Sequence, residues 1–357
     1  MKIKKKRLKK KIKKTICIIA LIIILITSLL LLNNYSKNKD KMIDENSKSN
    51  DIKNEPIIEE KLKILDLDSN SRPYAVMINN ISTVWGYQCG LDEAYLVYEI
   101  IVEGGYTRLM ALFKDKSLDR IGSVRSSRHY FLDYALENDA IYVHFGWSPQ
   151  AESDIKNLGV NNINFLSYNG YKRDYSLGLA TEHTAFTTTK DIMNGADYYG
   201  YRKTSDANPI LSYSVKSQDL SLIDGSIPAN SVKIVYSPSR STSFEYDSEN
   251  KVYKRYQNEI AHKDYVTGKQ YTAKNIITYQ VNSYTISGDS KGRQTLDNIG
   301  SGKGWYISEG YAVPITYEKT SRSSKTKYKY LDGTEIKVND GNTYIQIQPL
   351  GKTLTIE

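Results

Sequence analysis

Residues 120–165 hold the densest set of side chains in the chain that could do chemistry. Arg125 and Arg128 flank Ser126-Ser127, and His144 follows in Tyr142-Val143-His144. Guanidinium groups grip carboxylate and phosphate oxygens in a two-pronged geometry, so the pattern points to an anion: phosphate, carboxylate or sulfate. Upstream, Glu103 and Arg108 bracket Gly104-Gly105. Gathered at one place, Arg108, Arg125, Arg128 and Ser126 would hold negative charge while Glu103 or His144 handled a proton. The same residues can also satisfy one another. Arginines near a helix start pair readily with Asp119, Asp133 or Glu103, and a strand histidine can be an ordinary hydrogen-bonded core residue. His183, in Thr181-Glu182-His183-Thr184, could reach the crevice from a loop.

These residues need elements to position them. Residues 121–124 have the length of a short strand, and Ser126 or Ser127 can cap a helix running to about Asn138. Tyr130, Phe131, Tyr134 and Ala135 then share one face. A buried strand follows at 140–145. Ser148 with Pro149 at the first helical position opens a second helix, which Gly159 ends. Residues 162–166 return as a strand, so the order is β-α-β-α-β. Parallel strands joined by such crossovers put both helix starts at one sheet edge, where an anion is favoured. Ahead of this unit, strands at 74–80 and 106–113 and the apolar run 94–102 suggest a hairpin bent at Gly104-Gly105. A helix is expected around 189–199.

From residue 231 the character changes. Short alternating runs recur at 232–236, 242–246, 251–256, 265–271, 276–281, 304–307, 313–317, 327–331, 335–338 and 343–347. Thr267-Gly268, Asp332-Gly333 and Asp340-Gly341 supply turns between them. This predicts an antiparallel sandwich or barrel. With 30 tyrosines against 6 phenylalanines, its strands could present a sugar-stacking face or straddle a core and its wet rim. The expected plan is an α/β domain over 71–205, a connector at 206–230 and a mainly-β domain over 231–357.

The net charge of +9 is concentrated at one end. Residues 1–14 carry ten basic side chains and no acidic one, and removing them leaves 39 basic against 40 acidic residues. Bulk attraction to nucleic acid is thereby excluded for the rest. Residues 15–32 are uncharged, and as a helix would span about 27 Å, close to the roughly 30 Å of a bilayer core. No small-residue cleavage site follows, so the run reads as an uncleaved anchor in the lipid membrane. Its basic flank keeps the N-terminus cytoplasmic and places everything after it outside. Residues 33–70 read as a disordered tether. Cys17 falls in the anchor, which leaves Cys89 without a disulfide partner. The four histidines show no metal-ligand spacing, and neither a phosphate-binding loop, a nucleophile elbow nor a dinucleotide glycine motif occurs. No cofactor is expected.

Several motifs in order carry a resemblance. They are Arg72-Pro73-Tyr74-Ala75-Val76-Met77-Ile78-Asn79-Asn80, then Val102-Glu103-Gly104-Gly105-Tyr106-Thr107-Arg108, then Ile121-Gly122-Ser123-Val124-Arg125-Ser126-Ser127-Arg128. Tyr142-Val143-His144, Gly146-Trp147-Ser148-Pro149 and Asp340-Gly341-Asn342-Thr343-Tyr344-Ile345-Gln346 follow. Over roughly residues 70–350 the chain resembles the YerB-like family of bacterial cell-envelope proteins, which implies N- and C-terminal YerB-like domains but no catalytic residues. Two departures stand out: a membrane helix where lipid-anchored members have a lipobox, and Ser126-Ser127-Arg128 where many have Ser-Ala-Arg. The expected role is an envelope binding or accessory module whose partner is a cell-wall polymer or an envelope protein. The alternative is an enzyme acting on an anionic polymer or phosphodiester through the Arg/His/Glu crevice.

Overall fold

A strand covered on both faces reads as an unbroken buried run rather than an alternation. Tyr74–Asn80, Leu96–Ile101, Thr107–Phe113 and Thr343–Pro349 are buried at every position. They form the centre of an eleven-stranded mixed sheet in the computed structural model, which describes residues 26–29, 31 and 61–357. Numbered along the chain, its strands are β1 (Tyr74–Asn80), β2 (Leu96–Ile101), β3 (Thr107–Phe113), β4 (Ile141–His144) and β5 (Asn162–Asn164). After them come β6 (Ile227–Pro228), β7 (Asn275–Val281), β8 (Gly300–Ser308), β9 (Tyr311–Lys319), β10 (Lys327–Tyr330) and β11 (Thr343–Pro349). The spatial order is β6-β9-β8-β7-β11-β2-β3-β1-β4-β5, with β10 also beside β9.

A second sheet of six strands is antiparallel throughout. It contains Ser231–Ser237, Arg240–Asp247, Val252–Gln257, Ile260–Ala261, Thr272–Ala273 and Leu354–Ile356. Within residues 61–357 three α-helices complete the framework: α1 (Phe131–Glu137), α2 (Pro149–Asn157) and α3 (Thr189–Tyr198). Strand β2 shows the layering, because neighbouring residues point to opposite faces. Tyr98 turns to α1, its ring 4.8 Å from that of Tyr134 and its hydroxyl donating to Glu137 at 2.6 Å. Glu99 turns to the second sheet and accepts from Thr242 at 2.9 Å and Arg255 at 2.6 Å.

Several expectations change here. The β-α-β-α-β run is realised as β1, α1, β4, α2, β5, with β1, β4 and β5 parallel. Residues 121–124 do not supply its first strand. Ile121–Gly122 pairs instead with Ala185–Thr187 in a small separate sheet, because Tyr74–Val76 already occupy the edge of β4. Neither Ser126 nor Ser127 caps α1. That helix starts after Tyr130, while Ser127 Oγ accepts from the Tyr142 hydroxyl at 3.0 Å. Ser148 does cap α2, receiving the Ala151 amide at 3.2 Å. The later half is mainly β, yet it closes no antiparallel sandwich or barrel of its own. Strand β11 lies parallel to both β7 and β2, since a run buried on both faces needs a partner on either edge. Most tyrosines of its strands, including Tyr236, Tyr253, Tyr271, Tyr279, Tyr306 and Tyr344, are buried in the core and form no exposed face.

Residues 60–357 form one compact unit. The basic tail, nearly all of the run at 15–32 expected to form a membrane helix, and the expected tether to residue 60 lie outside the described residues. Residues 26–29 and 31 are helical, and among the described residues no helix is long and apolar enough to cross a membrane. Within the stretch assigned to the tether, residues 61–70 are held. The Lys63 amide donates to Asp340 at 2.9 Å, and Leu65 is buried.

Candidate functional site

The end of β1, the β2–β3 turn and the segment before α1 bring Glu103, Arg108, Arg125, Ser126 and Arg128 together. Their arrangement is decided by Glu103. Arg128 Nε donates to Glu103 Oε2 at 2.9 Å and its Nη2 to Oε1, while Arg108 Nη2 lies 3.2 Å from Oε1. Arg108 also donates to the Ser126 carbonyl, and Arg128 to the Ser127 carbonyl at 2.7 Å. Burial disfavours a charged Glu103, but the hydrogen bonds from Arg128 and the charge of Arg108 outweigh it and hold the carboxyl at about 2. Burial, then the neighbouring Arg128, pulls Arg108 down to about 9. Two of the three arginines thus share one internal carboxylate and direct further donors to backbone carbonyls, so the trio keeps one net positive charge but few free donors to orient a ligand.

Arg125 is half-buried and donates to the Glu182 carbonyl at 2.9 Å. His183, on the same turn, meets the Asn79 side chain at 3.0 Å, so this loop does reach the cluster. His144 is fully buried. Its Nδ1 donates to the Gly146 carbonyl at 2.8 Å, and Nε2 lies 3.1 Å from Asn162 Oδ1. Burial lowers it to about 4, against those two contacts. A neutral ring whose one N–H is donated to a backbone carbonyl, fully buried inside the protein, has no open path for proton transfer. Cys89 is buried as well, and burial pushes its thiol up to about 12.

A second place was not picked out as a site by the sequence reading. Strand β7 pairs with β8 only from Asn275–Tyr279 to Ser308–Gly304. Beyond that the sheet forks. Residues 280 and 281 stay with β11, whereas Gly300–Lys303 stay with β9. The hairpin Ser283–Thr285 and Gln294–Leu296 closes the far end of the opening. A cavity of about 960 Å³ occupies this fork, in the size range of ligand sites. Tyr317 crosses Gly302, stacks on Tyr279 with ring centroids 4.1 Å apart, and caps the Gln280 carbonyl at 3.1 Å. Trp305 lies opposite Pro314 in register, both half-buried, with Leu350 and Leu354 nearby in the lining. Asn298 is 4% exposed; its Nδ2 donates to the Tyr130 carbonyl and to Asp133 at 3.0 Å each, and its Oδ1 has no partner. The readable signal was Gly300-Ser301-Gly302-Lys303-Gly304, glycine at every second residue, which strips side chains from one face of a strand.

This architecture is that of a known family of unassigned function. Residues 62–202 match the N-terminal domain, and residues 232–345 the C-terminal domain, of proteins of unknown function described as DUF3048. The chain belongs to that family. It is 28% identical over 295 residues to YerB, a candidate lipoprotein of Bacillus subtilis (strain 168), across 78% of this chain and 81% of that one. The crystal structure of YerB from Bacillus subtilis is similar at a TM-score of 0.69 and 25% identity, over 80% of this chain and 94% of that chain.

Proposed function

We propose that the protein is a membrane-tethered, extracytoplasmic binding module of the cell envelope, and that the forked-sheet cavity is its binding site. The observation that carries this reading is the contrast between the two places. Around Glu103 the donors of Arg108 and Arg128 are taken up by one internal carboxylate and by backbone carbonyls, and His144 is sealed in the core. In the fork there is room for a ligand, with a buried amide oxygen left unmatched. The basic tail and the uncharged run at 15–32 support a single-pass anchor with the N-terminus cytoplasmic. A relative named as a candidate lipoprotein supports attachment to a membrane by some means. The partner is a cell-wall polymer or an envelope protein, and Arg108, Arg125, Arg128 and Ser126 serve structure and local polarity rather than catalysis by Glu103 or His144.

The test is retention of the full chain, in detergent, on purified cell-wall material and on immobilised envelope extract. Binding without turnover of the retained polymer is the expected result. Failure to bind either, or hydrolysis that His144→Gln abolishes, overturns it. Protease added outside protoplasts should remove residues 60–357 and spare the N-terminal tail.

A further inference from the structure

We infer that the fork between β7 and β8 binds a neutral oligosaccharide, one sugar ring lying against Trp305 and the glycine edge of β8; this rests on the reading of the chain as an envelope-binding module. Three observations lead to that ligand class. The first is shape. The Tyr279–Gly304 pair closes one end of the opening and the Ser283–Leu296 pair closes the other. An extended peptide adding alongside Gly300–Lys303 would have to pass through one of those closures, whereas a ring presented from the side would not. The β7 side of β8 is unpaired over Gly300–Lys303, and nothing lies within 4 Å of where a Cβ on Gly300 would stand, so a ring can approach the backbone there.

The second observation is charge. Asp133 in the lining is bound by Arg322 at 2.6 Å, and Arg322 also holds Asp154 at 2.6 Å. Asp297 accepts from Asn282 at 3.2 Å, and Lys303 stands exposed. His129 is hydrogen-bonded to Thr295 at 3.0 Å, and burial keeps it uncharged above about 4. The charged side chains of the lining, Asp133, Asp297, Lys303 and Arg322, are two acids and two bases, so the walls carry no net charge that would select an ionic ligand.

The third observation is the mixture of surfaces. Trp305 and Pro314 form an apolar shelf, while Gln280, Asn282 and Asn298 bring carboxamides to the lining. Thr278 Oγ1 and Asn298 Oδ1, both buried, lack partners. Sugars combine a flat C–H face with hydroxyl donors, which meets both halves of this lining. A hydroxyl reaching the floor would supply the donor that Asn298 Oδ1 lacks.

The experiment applies the full chain in detergent micelles to an array of uncharged oligosaccharides, including chito- and cello-tetraose, beside anionic glycans and extended peptides. Retention of at least one uncharged glycan is expected, with a change in tryptophan fluorescence on titration in solution. Trp305→Ala should weaken that affinity about tenfold or more, and Asn282→Ala by a smaller factor. If thermal melting shows that Trp305→Ala does not fold, Asn282→Ala decides. Retention of only anionic glycans or peptides overturns the inference, as does no retention at all. An unchanged affinity in a folded variant also overturns it. Wall binding that survives in Trp305→Ala would leave the module reading standing and remove this site; wall binding absent from the unaltered chain would remove the module reading.

Discussion

Glu103 decides what the arginines around it can do. Arg108 and Arg128 are 8% and 7% exposed at the side chain, and Glu103 is 25% exposed. Replacing Glu103 by Gln leaves two nearly buried guanidinium groups facing each other, and urea unfolding should report a loss of about 2 kcal/mol. The pH dependence has a definite sign. A carboxyl held at about 2 in the fold, against roughly 4.3 when unfolded, stabilises fully above the higher value. That contribution fades as pH falls toward the lower one, and the Gln variant should lack this phase. His144 gives a second window. Its folded value of about 4 lies below the ordinary 6.5, so the unfolded chain takes up the proton first. Stability is whole above about 6.5 and declines toward pH 4. A folded His144→Gln variant should show a shallower decline over that range in pH-dependent melts, with the shares due to His129, His183 and His262, all lowered by burial, remaining.

At the scale of elements, β8 is the unusual strand. Its glycines would ordinarily weaken it, yet neighbouring rings and backbone occupy the space they leave. A Cβ on Gly304 would stand 2.5 Å from the Thr278 carbonyl oxygen, and one on Gly302 would stand 2.8 Å from the Tyr317 ring. Gly304→Ala should therefore push β7 and β8 apart and cost about 3 kcal/mol, measured by chemical denaturation. It should also disturb the fork, so tryptophan fluorescence of the folded fraction should shift. Strand β2 carries the opposite kind of exception, an acid inside an apolar run. Glu99 is fully buried and meets Arg240 at 3.1 Å and Arg255 at 2.6 Å. Burial opposes its charge, but the two guanidiniums prevail and lower it. These pairs fasten the larger sheet to the smaller one.

At the scale of the molecule, two family domains share one sheet. Strand β11, almost the last in the chain, sits between β7 and β2, joining Leu96–Ile100 to Asn275–Val281 through its two edges. Unfolding of residues 60–357 should accordingly be a single transition by both far-ultraviolet and near-ultraviolet signals. A chain ending at Asp340 should not reach the native state, because both halves would face an open gap at the centre of the sheet. Limited proteolysis would show rapid digestion of the early segment as well as the late one. Survival of a resistant fragment covering 62–202 would sink this prediction.

Much of the local structure was legible in the sequence. The Ser148-Pro149 helix start, the Gly104-Gly105 bend and the strand-length apolar runs follow from backbone preferences that act over a few residues. The motifs that mark the family are likewise local strings. The charge partition between residues 1–14 and the rest is plain arithmetic. What the sequence left open was pairing. Arg125 and Arg128 are near neighbours in sequence, but whether they met Arg108, and whether they faced a ligand or Glu103, depended on how the β2–β3 turn packed against the segment before α1. Glu99, the one acid inside the apolar run 94–102, has partners that no local pattern identifies, since Arg240 and Arg255 lie more than a hundred residues away. The fork, too, was invisible beyond its glycine spacing. It exists because β7 follows β11 while β8 follows β9, a choice made by long-range contacts. Sequence by itself determined the elements and the family, through interactions between near neighbours; tertiary structure alone decided which charges cancel and where a cavity opens, because those depend on residues far apart in the chain.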